Sequence, residues 1–192
     1  HDRPTAAMQV LDMTPAVVEL SKRAAAADSH EAAVQAAVDM EGYLNDSTFN
    51  IILQAWAHVS RKLADLHEHQ VAVSFTDLQK DVNGIYTAKD AAQRAHSILD
   101  ERLMSESNES VNAESFHKVM AAWAYSLDDS APQQVEKLLK TLEKSNMVTD
   151  DSYHWVIETL ARSNPEGRRD DVHRYFNTVD RLSLRTVRAL LF

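Results

Sequence analysis

Three stretches of the chain repeat one alternation of apolar and polar positions. Residues 47–57, 114–124 and 152–161 each carry an aromatic, then apolar residues three, four and seven positions on, then Ala at the eighth. The sets are Phe49/Ile52/Leu53/Trp56, Phe116/Val119/Met120/Trp123 and Tyr153/Val156/Ile157/Leu160. Residues so spaced share one face of a helix. A pattern that recurs in this way predicts an array of similar units, which works through an extended surface rather than one deep catalytic pocket.

Short polar residues stand before each stripe: Asn45-Asp46-Ser47, Asn112 and Asp150/Asp151. Their side chains can accept the unsatisfied N–H groups of a first helical turn. A partner helix is expected after each stripe, over 88–103, 132–143 and 169–182. Phe116 to Tyr153 and Val135 to Val172 are both 37 residues, so stripe and partner share a period and the unit is a helix–turn–helix. Phe49 to Phe116 is 67 residues, and the excess over 61–86 is read as an insertion within one repeat. Thr14-Pro15 reads as a helix start after an irregular lead-in over 1–13. That helix is expected to run to Ala27, a second over 31–44, and the first striped helix to end near Ser60. One period beyond Tyr153 falls on Leu190, so 186–192 is expected to open a further, truncated repeat. The fold class predicted is all-α, an α-solenoid of about three and a half helical pairs spanning 14–185.

Composition agrees with helix. Gly numbers 3 and Pro 4, which leaves little turn chemistry for hairpins. The absence of Cys excludes disulfides, thiolate metal sites and a Cys nucleophile. No apolar run approaches a membrane span. The chain opens on His1 rather than Met, which reads as a processed product whose targeting peptide is gone. A net charge of −9 argues against a generic nucleic-acid binder. The charge is uneven. Residues 1–60 hold three basic and eight acidic side chains, whereas 162–192 hold seven basic and four acidic. Arg168 and Arg169 in that basic end are candidate partner contacts, set against the alternative of a solvated helix face.

The helical pairs at 46–60 with 88–103, 113–126 with 132–143, and 151–163 with 169–182 resemble the pentatricopeptide repeat family, with 14–44 similar to a degenerate earlier pair. The Trp-Leu-Gly-Tyr signature of tetratricopeptide repeats is missing. The resemblance implies a mitochondrial or chloroplast protein that binds single-stranded RNA along an inner groove, each base read by two side chains. One follows the stripe's first aromatic and the other lies four residues before the next unit's aromatic. Carried over, the resemblance implies pairing Asn50 with Asn112 and His117 with Thr149, with His154 opening a third pair. The amides of Asn50 and Asn112 suit a pyrimidine because they both donate and accept. The two histidines depart from the family's usual Asn, Ser or Thr.

Trp155 lies off the apolar stripe and is expected to be open, either as a partner-binding anchor or as a contact within the array. His67-Glu68-His69 has two histidines at i and i+2, which a helix would point apart, so no metal site is assigned. Asn45-Asp46-Ser47 and Asn108-Glu109-Ser110 fit the glycosylation pattern, the first being explained as a cap. No phosphate loop, nucleophile elbow or catalytic carboxylate pair is present, and neither a cofactor nor a small-molecule substrate is expected. Two functions follow. The first is RNA association in organellar RNA processing or translation, without strong sequence-specific reading. The alternative is a protein-binding scaffold subunit of a large organellar complex.

Overall fold

A computed structural model describes residues 6–27, 29–69, 87–105 and 110–163, together with Tyr175. Among these residues the chain is all-helical and contains no strand. The helices are α1 (Ala6–Ala26), α2 (His30–Glu41), α3 (Phe49–His69), α4 (Ala88–Met104), α5 (Ala113–Tyr125), α6 (Ala131–Lys144) and α7 (Asp150–Ser163).

The helix starts follow from side chains that satisfy first-turn N–H groups. The Ser29 hydroxyl accepts from Ala32 N at 3.2 Å. Thr87 and Asp90 form a reciprocal capping box on α4, as Asn112 and Ser115 do on α5. Pro132 sits in the first turn of α6, where its missing N–H is no loss. Asn146 ends α6 at φ 55°, and Met147 N donates back to Leu142 O at 2.9 Å, a left-handed stop that Asn tolerates.

Three expected boundaries are corrected. The lead-in is helical from Ala6, and Pro15 lies inside α1. Ala6, Ala7, Met8, Gln9 and Leu11 are good helix formers, so they extend the helix upstream of a proline that removes a single bond. Helix α2 stops at Glu41, three residues short of the expected end. Helix α3 continues past Ser60 to His69, with Leu63 and Ala64 buried, so 61–69 is helix rather than insertion. The backbone of His67-Glu68-His69 is therefore helical. The rest of the insertion (70–86), Asn108-Glu109, the final stretch 186–192 and, apart from Tyr175, the partner helix 169–182 lie outside the described residues. Tyr175 is helical and donates its hydroxyl to Glu136 on α6 at 3.0 Å.

Packing is sequential. The odd helices touch in succession, α1 on α3, α3 on α5 and α5 on α7. Among the described helices, α2, α4 and α6 each pack mainly against the odd helices before and after them. The stripes form these seams. Phe49, Ile52, Leu53, Trp56, Phe116, Val119 and Met120 are fully buried, as is Ile157. Tyr153 is only partly buried, although Val156 and Leu160 of its stripe are sealed.

Equivalent tryptophans use their indole N–H groups alike. Trp56 donates to Glu41 on α2 at 2.9 Å, and Trp123 donates to His96 on α4 at 3.0 Å. Glu41 also receives Arg94 of α4 at 2.9 and 2.5 Å, so one carboxylate joins α2, α3 and α4. The buried Ser60 hydroxyl bridges three helices, lying 3.0 Å from Ala88 O and 2.8 Å from Ala122 O.

Candidate functional site

The first turns of the odd helices carry a repeated polar device. A hydroxyl residue precedes each stripe aromatic: Thr48, Ser115 and Ser152, all fully buried. Each hydroxyl accepts the backbone N–H three residues earlier, from Asn45 at 2.9 Å, Asn112 at 3.2 Å and Thr149 at 3.1 Å. Two of them also reach the preceding odd helix. Ser115 Oγ donates to Asn50 Oδ1 at 2.8 Å, and Ser152 Oγ lies 2.8 Å from His117 Nε2.

Residues paired only by resemblance thus meet in space. Asn50 and Asn112 come from α3 and the head of α5, and both contact the Ser115 hydroxyl, Asn112 Oδ1 at 3.3 Å. His117 and Thr149 meet at Ser152, with Thr149 Oγ1 3.4 Å from His117 Nε2. Asn50 and His117 are half-buried, while Asn112 and Thr149 are exposed. His154 belongs to the same register but is buried, its ring 5.1 Å from that of Trp155.

Below these turns a cleft of about 330 Å³ runs across α3, α5 and α7. Its polar wall includes His58, Arg61, His117 and Lys118 facing Glu114 and Asp151. Lys118 is held between Gln54 Oε1 at 3.0 Å and Glu114 at 2.8 Å. Tyr125 has two guanidinium groups against its ring, Arg61 at 5.4 Å and Arg162 at 4.8 Å from the centroid. Arg162 is also bound to Glu158 at 2.7 Å.

Burial is the main influence on the histidines here. It lowers the pKa of His58, and the cations Arg61, Lys118 and Lys62 lower it further. Burial lowers that of His117 as well, against the opposing pull of Asp151 and Glu114. Both rings are therefore neutral at pH 7. Lys118 holds Glu114 ionised by hydrogen bond and charge.

Trp155 is corrected. Instead of standing open it is nine-tenths buried, its ring 6.3 Å from that of Tyr125. Helix α5 supplies an aromatic wall at the position where Trp155 leaves its own stripe, so the ring packs against Tyr125. Arg168 and Arg169 lie outside the described residues. Sequence reasoning missed the buried hydroxyls and the Tyr125 cluster. The hydroxyls had a signal, since Thr or Ser precedes every stripe aromatic. Tyr125, Arg61 and Arg162 come from three helices and had none.

Among the described residues no helix is long and apolar enough to cross a membrane, and no group of three His, Asp or Glu side chains is placed to hold a metal ion. No protein-family model, curated protein or solved structure matches the chain.

Proposed function

We propose that the helices form an α-solenoid of pentatricopeptide-like repeats and that the odd-helix face associates with single-stranded RNA in a mitochondrion or chloroplast. The association serves RNA processing or translation, involves no catalysis and reads sequence only weakly. One observation carries this reading: Asn50 with Asn112, and His117 with Thr149, are brought to one hydroxyl apiece at the heads of successive odd helices. Such a row, repeating along a face, suits a strand that presents one base per unit. The cleft adds Arg61 and Lys118 for phosphate and aromatic rings beside them.

A second reading, the protein-binding scaffold, is favoured by the net charge of −9 and by Glu114 and Asp151 in the cleft wall, which oppose a polyanion. Titration with labelled single-stranded RNA across a salt series separates the two. RNA association is expected to weaken steeply with salt, and Arg61→Glu to reduce it at least tenfold at low salt. An absence of binding at low salt would overturn RNA association and favour the scaffold reading.

A further inference from the structure

Arg23, Arg94, Arg102 and Arg162 each pair with a carboxylate, from Glu19, Glu41, Asp46 and Glu158 in turn. Arg61 differs. Among the described residues it forms no ion pair or hydrogen bond, and its guanidinium rests 5.4 Å from the centroid of the Tyr125 ring. Stacking occupies the face of the guanidinium and leaves its in-plane N–H groups to donate elsewhere. On a chain of net charge −9, an uncompensated cation fixed in the wall of a cleft is a seat for an anion.

His58 stands one helical turn before Arg61 on α3, and both line the cleft with Lys118 of α5. Its ring has no carboxylate partner among the described residues, and Gln54 Nε2 lies 3.4 Å from its Nε2. The charges that act on it are all positive: Arg61 and Lys62 from its own helix and Lys118 from α5. Helices α1, α2 and α4 also pack on α3 but bring no charge to bear on this ring among the described residues. The carboxylates of the cleft lie elsewhere. Glu114 is bound to Lys118, and it acts with Asp151 on His117. Burial and three cations therefore keep His58 neutral in the free protein at pH 7. An anion seated against Arg61 and Lys118 reverses that balance. It offsets the repulsion and offers the ring an acceptor for a charge-assisted hydrogen bond. Both nitrogens of a charged imidazole donate, so the argument holds for either neutral tautomer.

We propose that His58 is a third ligand-contacting cation of the cleft, uncharged in the free protein and protonated when a backbone phosphate seats against Arg61 and Lys118, so that RNA binding takes up a proton and strengthens as the pH falls. This rests on the RNA reading above. A ring that holds its proton more firmly in the complex adds affinity that is fully present at low pH. That affinity is lost as the pH rises through the value at which the bound ring titrates. His117 responds less, because Asp151 and Glu114 already favour its charged form and repel a phosphate.

Anisotropy titrations of the full chain with labelled oligouridine, at one ionic strength from pH 6 to pH 8, test the coupling. Uracil has no group that titrates in that range, and circular dichroism checks that the helices persist throughout it. Binding is expected to be about threefold tighter at pH 6 than at pH 8. Equal or weaker binding at pH 6 would overturn the coupling while leaving RNA association intact. Failure to bind at any pH in the range would overturn the RNA reading and the coupling with it. In His58→Gln the ratio of the two affinities is expected to fall close to one, whatever the change in overall affinity. An unchanged ratio would place the titrating group elsewhere and overturn the assignment. Histidine ring-proton titrations by nuclear magnetic resonance give an independent readout in the unaltered chain. The His58 pKa is expected to rise when oligouridine is added, and by more than that of His117. A His58 value that stays put or falls on binding would overturn the proposal.

Discussion

Histidine tautomers give this chain its sharpest single-residue behaviour. His96 Nδ1 accepts the Trp123 indole N–H at 3.0 Å, which only an unprotonated nitrogen can do. Burial lowers its pKa from the ordinary 6.5, as it does for His58 and His117, with Asp100 opposing at His96. A histidine pKa depressed in the folded state means that the unfolded chain binds more protons below that ordinary value. Stability is then full above about pH 6.5 and declines as the pH falls through the folded-state values. Thermal melts are expected to show a lower Tm at pH 5 than at pH 7.5. His96→Gln, whose amide oxygen can still accept from Trp123, is expected to reduce that difference. A pH-independent Tm would contradict this account.

At the scale of elements, caps and stops decide where helices begin and end. Asn112 is satisfied on both counts, accepting from Ser115 N at 3.2 Å and donating its own N–H to the Ser115 hydroxyl. Asn112→Ala is expected to cost about 1 kcal/mol, the usual value of an N-cap. Leu127 is the contrary case. It follows α5 at φ 55°, a left-handed conformation that costs a branched side chain about 1–2 kcal/mol, and it is exposed. Leu127→Gly is expected to raise stability by about 0.5–1 kcal/mol in denaturant melts, and a loss would show that its side-chain packing outweighs the strain. The caps could be read from the chain, because short polar residues precede apolar stripes. Leu127 could not, since nothing in its identity announces a left-handed turn.

Across the whole molecule, sequential packing makes damage local. Helix α5 touches α3, α4, α6 and α7, and Phe116 is sealed among them. Phe116→Ala is expected to cost about 3–5 kcal/mol, whereas truncation of the half-buried Tyr153 should cost clearly less. Because each helix contacts only near neighbours along the chain, hydrogen exchange in Phe116→Ala is expected to accelerate in α5–α7 more than in α1–α2. Uniform acceleration would show a single cooperative core instead.

The run of apolar positions determined that the chain is helical and which faces are buried, because helix periodicity and propensity are local properties. The caps before α3 and α5 belong to that local account, as do α4 and α6, which lie within a residue of the ranges expected for them. The extent of α1 and α3 did not, since good helix formers on either side of Pro15 and Ser60 leave the end points to packing. Only the tertiary structure showed that Ser115 meets Asn50 from 65 residues away, that Trp155 is covered by Tyr125, and that Glu41 gathers Trp56 and Arg94. These contacts depend on which helices become neighbours and how far each is rotated about its axis, quantities that one-dimensional spacing does not carry.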